Sequence, residues 1–252
     1  MYPNKETEIS YHYLQQVISH LDEPLCLLGG WAVYFTVNSK YQKETGASYL
    51  GSRDIDLGFH DVKTMKKTME KLEHMGFKKL SFRYFKELHT ETMRELDKEE
   101  ARKTPLYDIF PMYVDLIIAK TDASMKTKLG FMPIDEPLLL HVFENAHKRE
   151  VQEFGKHLIM PSPALLLAMK ICSIKERDKE HKRIKDFCDL TALCLYSGIA
   201  IENLKKEAES FVSEEKIKQN LKSLDKTDYT QVVKFLGIDE ALIVDLIRRL
   251  TL

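Results

Sequence analysis

Ser52-Arg53-Asp54-Ile55-Asp56-Leu57-Gly58-Phe59 alternates apolar residues with Asp54, Asp56 and Gly58, the period-two pattern of a β-strand. Side chains alternate faces along a strand, so the carboxylates of Asp54 and Asp56 share one face, about 7 Å apart. Two acids on one face repel each other and cost desolvation. Folding alone gives no reason to keep such a pair. A divalent cation does.

Upstream, Leu25-Cys26-Leu27-Leu28 has the pattern of a short buried strand, and it runs through Gly29-Gly30 into a helical stretch over residues 31–41. A strand, a glycine turn and a helix N-terminus make a cradle for phosphate. A glycine pair marks any tight turn, but its place ahead of the D-x-D strand gives it weight. Downstream, Tyr113-Val114-Asp115-Leu116-Ile117-Ile118 is an apolar strand broken by one acid. Three carboxylates on two neighbouring strands can hold two Mg²⁺ (or Mn²⁺) about 3.5–4 Å apart. Such a pair would activate an attacking hydroxyl, clamp a triphosphate and stabilise the pyrophosphate that leaves. The pattern points to metal-assisted chemistry on a nucleotide.

The remaining periodicities give a division of the chain. Residues 9–21 and 62–75 are amphipathic helices, the second stopped by Gly76, with residues 42–51 a polar surface loop. Residues 77–88 form a strand, 90–103 a charged helix, 136–147 a further helix, and 151–160 a hairpin around Gly155. Beyond Pro161-Ser162-Pro163 only helical patterns occur, over 164–177, 182–195, 201–212, 229–235 and 240–250. The expected organisation is an α/β domain over 1–160 and a helical domain over 161–252. Lys170 and Arg177 stand two turns apart on one face, and Lys185 and Asp189 one turn apart. Asp186 and Asp189 are close enough to repel, which suggests a cation between them, Lys170 or Arg177; the plainer reading is a surface salt bridge. The mixed-sign run over 175–185 reads as a solvated connection between helices.

Composition narrows the field only mildly. The net charge of −1 over 252 residues gives no signature of a protein that coats nucleic acid. No run of about 18 apolar residues is present, and residues 1–6 lack an apolar segment, so neither a membrane span nor a signal peptide is expected. Cys26, Cys172, Cys188 and Cys194 sit in apolar patterns without a C-x-x-C pair, which suits buried thiols in a reducing cytoplasm. None of the nine histidines pairs with another ligand on one helix face, and the six-residue spacing of His141 and His147 spoils a shared one.

The order Gly29-Gly30, Ser52-x-Asp54-x-Asp56 and a later strand acid, Asp115, resembles the nucleotidyltransferase superfamily that includes DNA polymerase beta. Pro161-Ser162-Pro163-x-x-Leu166-x-x-x-Lys170 with Arg177, then Lys185-Asp186-x-x-Asp189-Leu190, is similar to the AbiEii family, nucleotidyltransferase-like toxins of type IV toxin–antitoxin systems. The resemblance implies an α+β fold with a mixed sheet, flanking helices and a C-terminal helical domain. It implies Asp54, Asp56 and Asp115 as metal ligands, and Gly29, Gly30, Ser52 and Arg53 at the phosphates. Lys170 would bind the triphosphate, with Lys185, Asp186 and Asp189 supporting the pocket from the helical domain. The implied substrate is an NTP such as ATP or GTP, the acceptor RNA or the 3′ end of tRNA, and the partner a cognate antitoxin protein. Gly29-Gly30-Trp31-Ala32 also resembles antibiotic-modifying nucleotidyltransferases of the lincosamide type, which keeps a small hydroxylated acceptor open. A non-catalytic nucleotide-binding scaffold is the third reading, and an intact acid cluster speaks against it.

Overall fold

The structure, a computed structural model, describes residues 3–252; Met1 and Tyr2, where the N-terminal reading begins, lie outside the described residues. Two compact units are present. One contains residues 3–31 and Gly51–Met160, the other Ala32–Leu50 and Pro161–Leu252.

The first unit is built on a mixed sheet. In chain order its elements are α1 (Asn4–His20), β1 (Leu25–Leu27), the first turn of α2 (Gly29–Thr45), β2 (Ile55–Phe59), α3 (Val62–His74), β3 (Lys78–Leu80), β4 (Arg83–His89), α4 (Lys98–Lys103), β5 (Ile109–Ile118), α5 (Ser124–Leu129), β6 (Ile134–Asp135), α6 (Leu140–Phe143), β7 (Lys148–Glu153) and β8 (Lys156–Pro161). The strands lie in the order β3-β4-β5-β2-β1-β8-β7, and β6 also pairs with β5. β2 runs parallel to β5 and antiparallel to β1, so the two acid-bearing strands are direct neighbours. Burial follows the alternation: Ile55, Leu57 and Phe59 of β2 and Val114 and Leu116 of β5 are buried. Asp61 caps α3 by accepting from the Thr64 N–H (2.9 Å), and Met65, Met69 and Leu72 form its buried stripe, as the sequence pattern requires.

Several local expectations are corrected. Residues 77–88 are two strands rather than one, because the chain turns back at Ser81, whose φ is +55°. The helix expected over 90–103 shrinks to α4. Residues ahead of it follow the sheet edge, with Leu96 N–H donating to Glu87 O, and a capping box of Asp97 and Glu100 starts the helix only there. The helix expected over 136–147 is a single short α6 after a turn beginning at Pro137.

The second unit is helical: the rest of α2, α7 (Pro163–Ile174), α8 (Glu180–Tyr196), α9 (Ile201–Ala208), α10 (Glu214–Leu221), α11 (Lys226–Leu236) and α12 (Glu240–Thr251). Ser162 caps α7 with Pro163 in its first turn, which is why the Pro-Ser-Pro stretch begins a helix. α10 has no counterpart in the sequence reading, since its apolar face is only Ile217 and Leu221 beside Asn220. α8 starts within the segment expected to be a solvated connection, and Lys185 in it is buried. Among the described residues no helix is long and apolar enough to cross a membrane.

Candidate active site

Strand pairing draws the chemistry-bearing residues of the sheet unit into one row. Asp56 of β2 pairs with Asp115 of parallel β5, and Asp115 pairs in turn with Arg83 of antiparallel β4. On the other side, the Leu28 N–H donates to Asp56 O (2.9 Å), which sets Gly29 beside the Asp56 side chain. Partners in register share a face, with neighbouring strands about 4.8 Å apart. The contact at Gly29 is close: a Cβ there would stand 1.8 Å from Asp56 Oδ2, and its φ of +63° is left-handed. Only glycine fits both requirements. The first residue of α2 thus stands against the Asp56 carboxylate.

Asp115 is 5% exposed and holds Arg83 in a two-bond fork. Arg83 Nε donates to Oδ1 (2.8 Å) and Nη2 to Oδ2 (2.6 Å). The guanidinium lies over the Tyr113 ring, 4.4 Å from its centroid, and 5.3 Å from that of Phe82. Burial pulls the Arg83 pKa down, but the charge and hydrogen bonds of Asp115 outweigh it and leave the pKa raised, with Asp54 adding to the effect. Asp54, just ahead of β2, is therefore electrostatically part of the same site.

A divalent cation is the group the resemblance implies. The hard oxygen donors of Asp54 and Asp56, with room for Asp56 made by Gly29, fit Mg²⁺ or Mn²⁺. A cradle of three acids does not form. Both oxygens of Asp115 are engaged by Arg83, and among the described residues no group of three or more His, Cys, Asp or Glu side chains is gathered as a metal site.

Gly30, Ser52 and Arg53, also expected at the phosphates, lie in or just ahead of α2 and β2. Gly30 is buried in the first turn of α2, and Ser52 is buried ahead of β2. Arg53 pairs with Glu6 (3.0 Å) and lies over Phe110, 5.2 Å from its centroid, so its charge is directed to α1. Arg83 itself is the residue the sequence reading missed. Nothing in Leu80-Ser81-Phe82-Arg83-Tyr84 distinguishes it from an ordinary strand arginine; only the β4–β5 register reveals its partner.

In the helical unit, Lys170, Lys185, Asp186 and Asp189 are brought together, but in the interior. Lys170 Nζ bridges Asp186 Oδ1 (2.6 Å) and Asp189 Oδ2 (2.7 Å), the cation between two acids that their spacing suggests. Arg177 Nε donates to Asp186 Oδ2 (2.6 Å) and Ser173 Oγ to the same oxygen (3.0 Å). Lys185 Nζ and Tyr49 Oη both donate to Asp189 Oδ1, at 2.5 and 2.8 Å. Lys170 is 8% exposed and Asp189 fully buried. The surface salt bridge expected for Lys185 and Asp189 is corrected: desolvated charges of both signs neutralise one another and tie α7, α8 and the 45–50 segment together. Burial pulls the Lys170 pKa down, and the two aspartates more than reverse it, so it is raised. Tyr49, placed by the sequence in a surface loop, is buried, and burial with the Asp189 charge pushes its hydroxyl well up.

No family model matches the chain, and no curated protein does. Among solved structures, it is similar to a crystal structure of an antigenic nucleotidyltransferase-like protein from Paracoccidioides brasiliensis, at 14% identity and a TM-score of 0.45, over 91% of this chain and 92% of that one. So distant a likeness leaves the assignment of the site to its own residues.

Proposed function

We propose that the protein is a metal-dependent nucleotidyltransferase, moving an NMP from ATP, GTP or another NTP to an acceptor hydroxyl. The observation that carries the reading is the row Gly29–Asp56–Asp115, in which a glycine turn opening a helix is fitted to one acid and a second acid stands in register beside it. A triphosphate with a cation has a use for that arrangement.

In this reading Asp54 and Asp56 hold the Mg²⁺ or Mn²⁺, which when bound neutralises phosphate charge and acts as a Lewis acid. Gly29 and Gly30 bring the N–H groups of the first α2 turn toward phosphate oxygens. Arg83 orients Asp115 through the two-bond fork, so that one carboxylate geometry is presented at the acceptor side. The buried Lys170 network contributes by shaping its unit rather than by offering an open charge to phosphate.

RNA, and the 3′ end of tRNA within it, is the leading acceptor, by the likeness of Lys170, Lys185, Asp186 and Asp189 to the AbiEii pattern; a cognate antitoxin protein belongs to the same reading. The small-molecule alternative leans on Trp31. That residue is buried, with Nε1 donating to Ser10 Oγ (3.1 Å), which is a packing role. The test is pyrophosphate release from NTPs with Mg²⁺ and total RNA. Release is expected from the wild type and not from Asp56→Ala; equal release from both would overturn the assignment of the acids.

A further inference from the structure

The pairing of Arg83 with Asp115 bears on how many cations the site accepts. The two-ion site expected from the sequence uses Asp115 as its third acid, and here both of its oxygens accept from a guanidinium in bidentate geometry. The fork is half-buried: the side chains of Arg83 and Asp115 are 22% and 8% exposed. The guanidinium also lies over the Tyr113 ring, with the exposed Phe82 ring beside it, which adds to its hold on this position. A second divalent ion at Asp115 would have to displace a desolvated partner and then sit beside its positive charge. The Asp115 fork uses Nε and Nη2, leaving the Nη1 edge outside that pair of bonds.

We infer that Arg83 is a built-in cation of the site: it takes the place of one divalent ion at Asp115, so the chain binds a single divalent ion, on Asp54 and Asp56. Its guanidinium supplies positive charge on the acceptor side, and its Nη1 edge is the group placed to meet a phosphoryl oxygen. The inference rests on the nucleotidyltransferase reading, which alone implies the ion at Asp54 and Asp56.

Mn²⁺ titration followed by the electron-spin signal of the free ion tests it, with the full chain and a saturating NTP analogue that resists α–β cleavage. The wild type should bind one Mn²⁺ per chain beyond what the analogue binds alone. Arg83→Gln should bind two, and Arg83→Gln/Asp115→Asn one again. Two ions in the wild type, or one in folded Arg83→Gln, would overturn the inference. Should Arg83→Gln fail to fold, Asp115→Asn decides, because it keeps an acceptor for Arg83. One ion retained in Asp115→Asn supports the inference, and loss of that ion overturns it. Absence of saturable Mn²⁺ in the wild type would overturn the assignment of Asp54 and Asp56, a different failure from a wild type that binds two.

Discussion

Gly29 and Asp56 are fitted to each other so closely that a Cβ on the glycine would stand 1.8 Å from Oδ2 of the carboxylate. Gly155, in the turn between β7 and β8, supplies the comparison, since its φ of +72° is also left-handed but nothing lies within 4 Å of its Cβ position. An L-residue at either site carries the left-handed backbone cost of about 1–2 kcal/mol. Only Gly29→Ala adds an overlap, about 1–3 kcal/mol more. Urea unfolding should show that excess over Gly155→Ala, and Asp56→Ala in the Gly29→Ala background should recover most of it. Equal losses at the two glycines would mean that Asp56 moves aside freely.

Asp56→Ala and Asp54→Ala test the cation site through binding. A ligand that binds only the folded chain stabilises it by about 2.7 kcal/mol at a hundred times its Kd. NTP with Mg²⁺ should raise the Tm of the wild type, and the metal-dependent part of that rise should vanish in both variants. Calorimetry should show the same loss. A metal-dependent binding enthalpy unchanged in Asp54→Ala would remove the metal from this end of β2.

Lys170 separates a structural charge from a ligand-binding one. Truncating one member of a buried ion network leaves its partners uncompensated, at a cost of about 3–5 kcal/mol. Lys170→Ala takes one of two cations from each of the buried Asp186 and Asp189, leaving Arg177 on the first and Lys185 on the second, and should lose stability toward the lower end of that scale. The exposed Lys206→Ala should change stability by less than about 0.5 kcal/mol. Urea unfolding of the two variants without nucleotide makes the comparison. A Lys170→Ala chain of normal stability would mean that the network is not holding its unit together.

The strands that carry Asp56 and Asp115 were legible because period-two alternation survives an acid in an apolar run. Likewise α3 announced itself through an apolar stripe and a glycine stop, while its Asp61 cap came only with the structure. What could not be read was pairing. Arg83 meets Asp115 only because β4 and β5 are antiparallel with those two residues in register, and no local pattern encodes register between strands 32 positions apart. Tyr49 was hidden for the same reason, a buried partner of Asp189 inside a locally polar stretch. The charged helix expected over 90–103 failed differently: charge density favours an exposed helix, but the sheet-edge hydrogen bond from Leu96 to Glu87 outbids helix formation until Asp97.

Asp186 gives the molecule an acid-sensitive linkage. Burial raises its pKa, but Lys170 and then Arg177 outweigh that and hold it at about 2, against an ordinary 3.8. A depressed folded-state pKa contributes stability above the unfolded value, and that contribution is lost as pH falls toward the folded one. The loss should therefore fall between about pH 4 and pH 2 and amount to roughly 2 kcal/mol. Chemical unfolding at a series of pH values should show this slope in the wild type. In Asp186→Asn the slope should be shallower across the same window, and an identical slope would assign it to other carboxylates.

The lysines of α9 and α10 bear on the proposed acceptor less than their number suggests. Lys205 pairs with Glu209 (3.5 Å) and Lys218 with Glu214 (2.6 Å), each one helical turn apart. These surface pairs, the first half-buried and the second exposed, are worth little to stability, yet they offset the positive charge that an RNA backbone would need. With RNA as the acceptor, binding would depend on few phosphates, and its affinity should fall by about 0.7 log unit per neutralised phosphate for each decade of salt, a shallow total slope. Incubation with labelled ATP or GTP, Mg²⁺, total RNA and a panel of hydroxylated antibiotics reads the acceptor directly. Label is expected on RNA in the wild type and absent with Asp56→Ala. Label confined to a small molecule would replace RNA as the acceptor, while NTP binding without label on either would favour a nucleotide-binding scaffold.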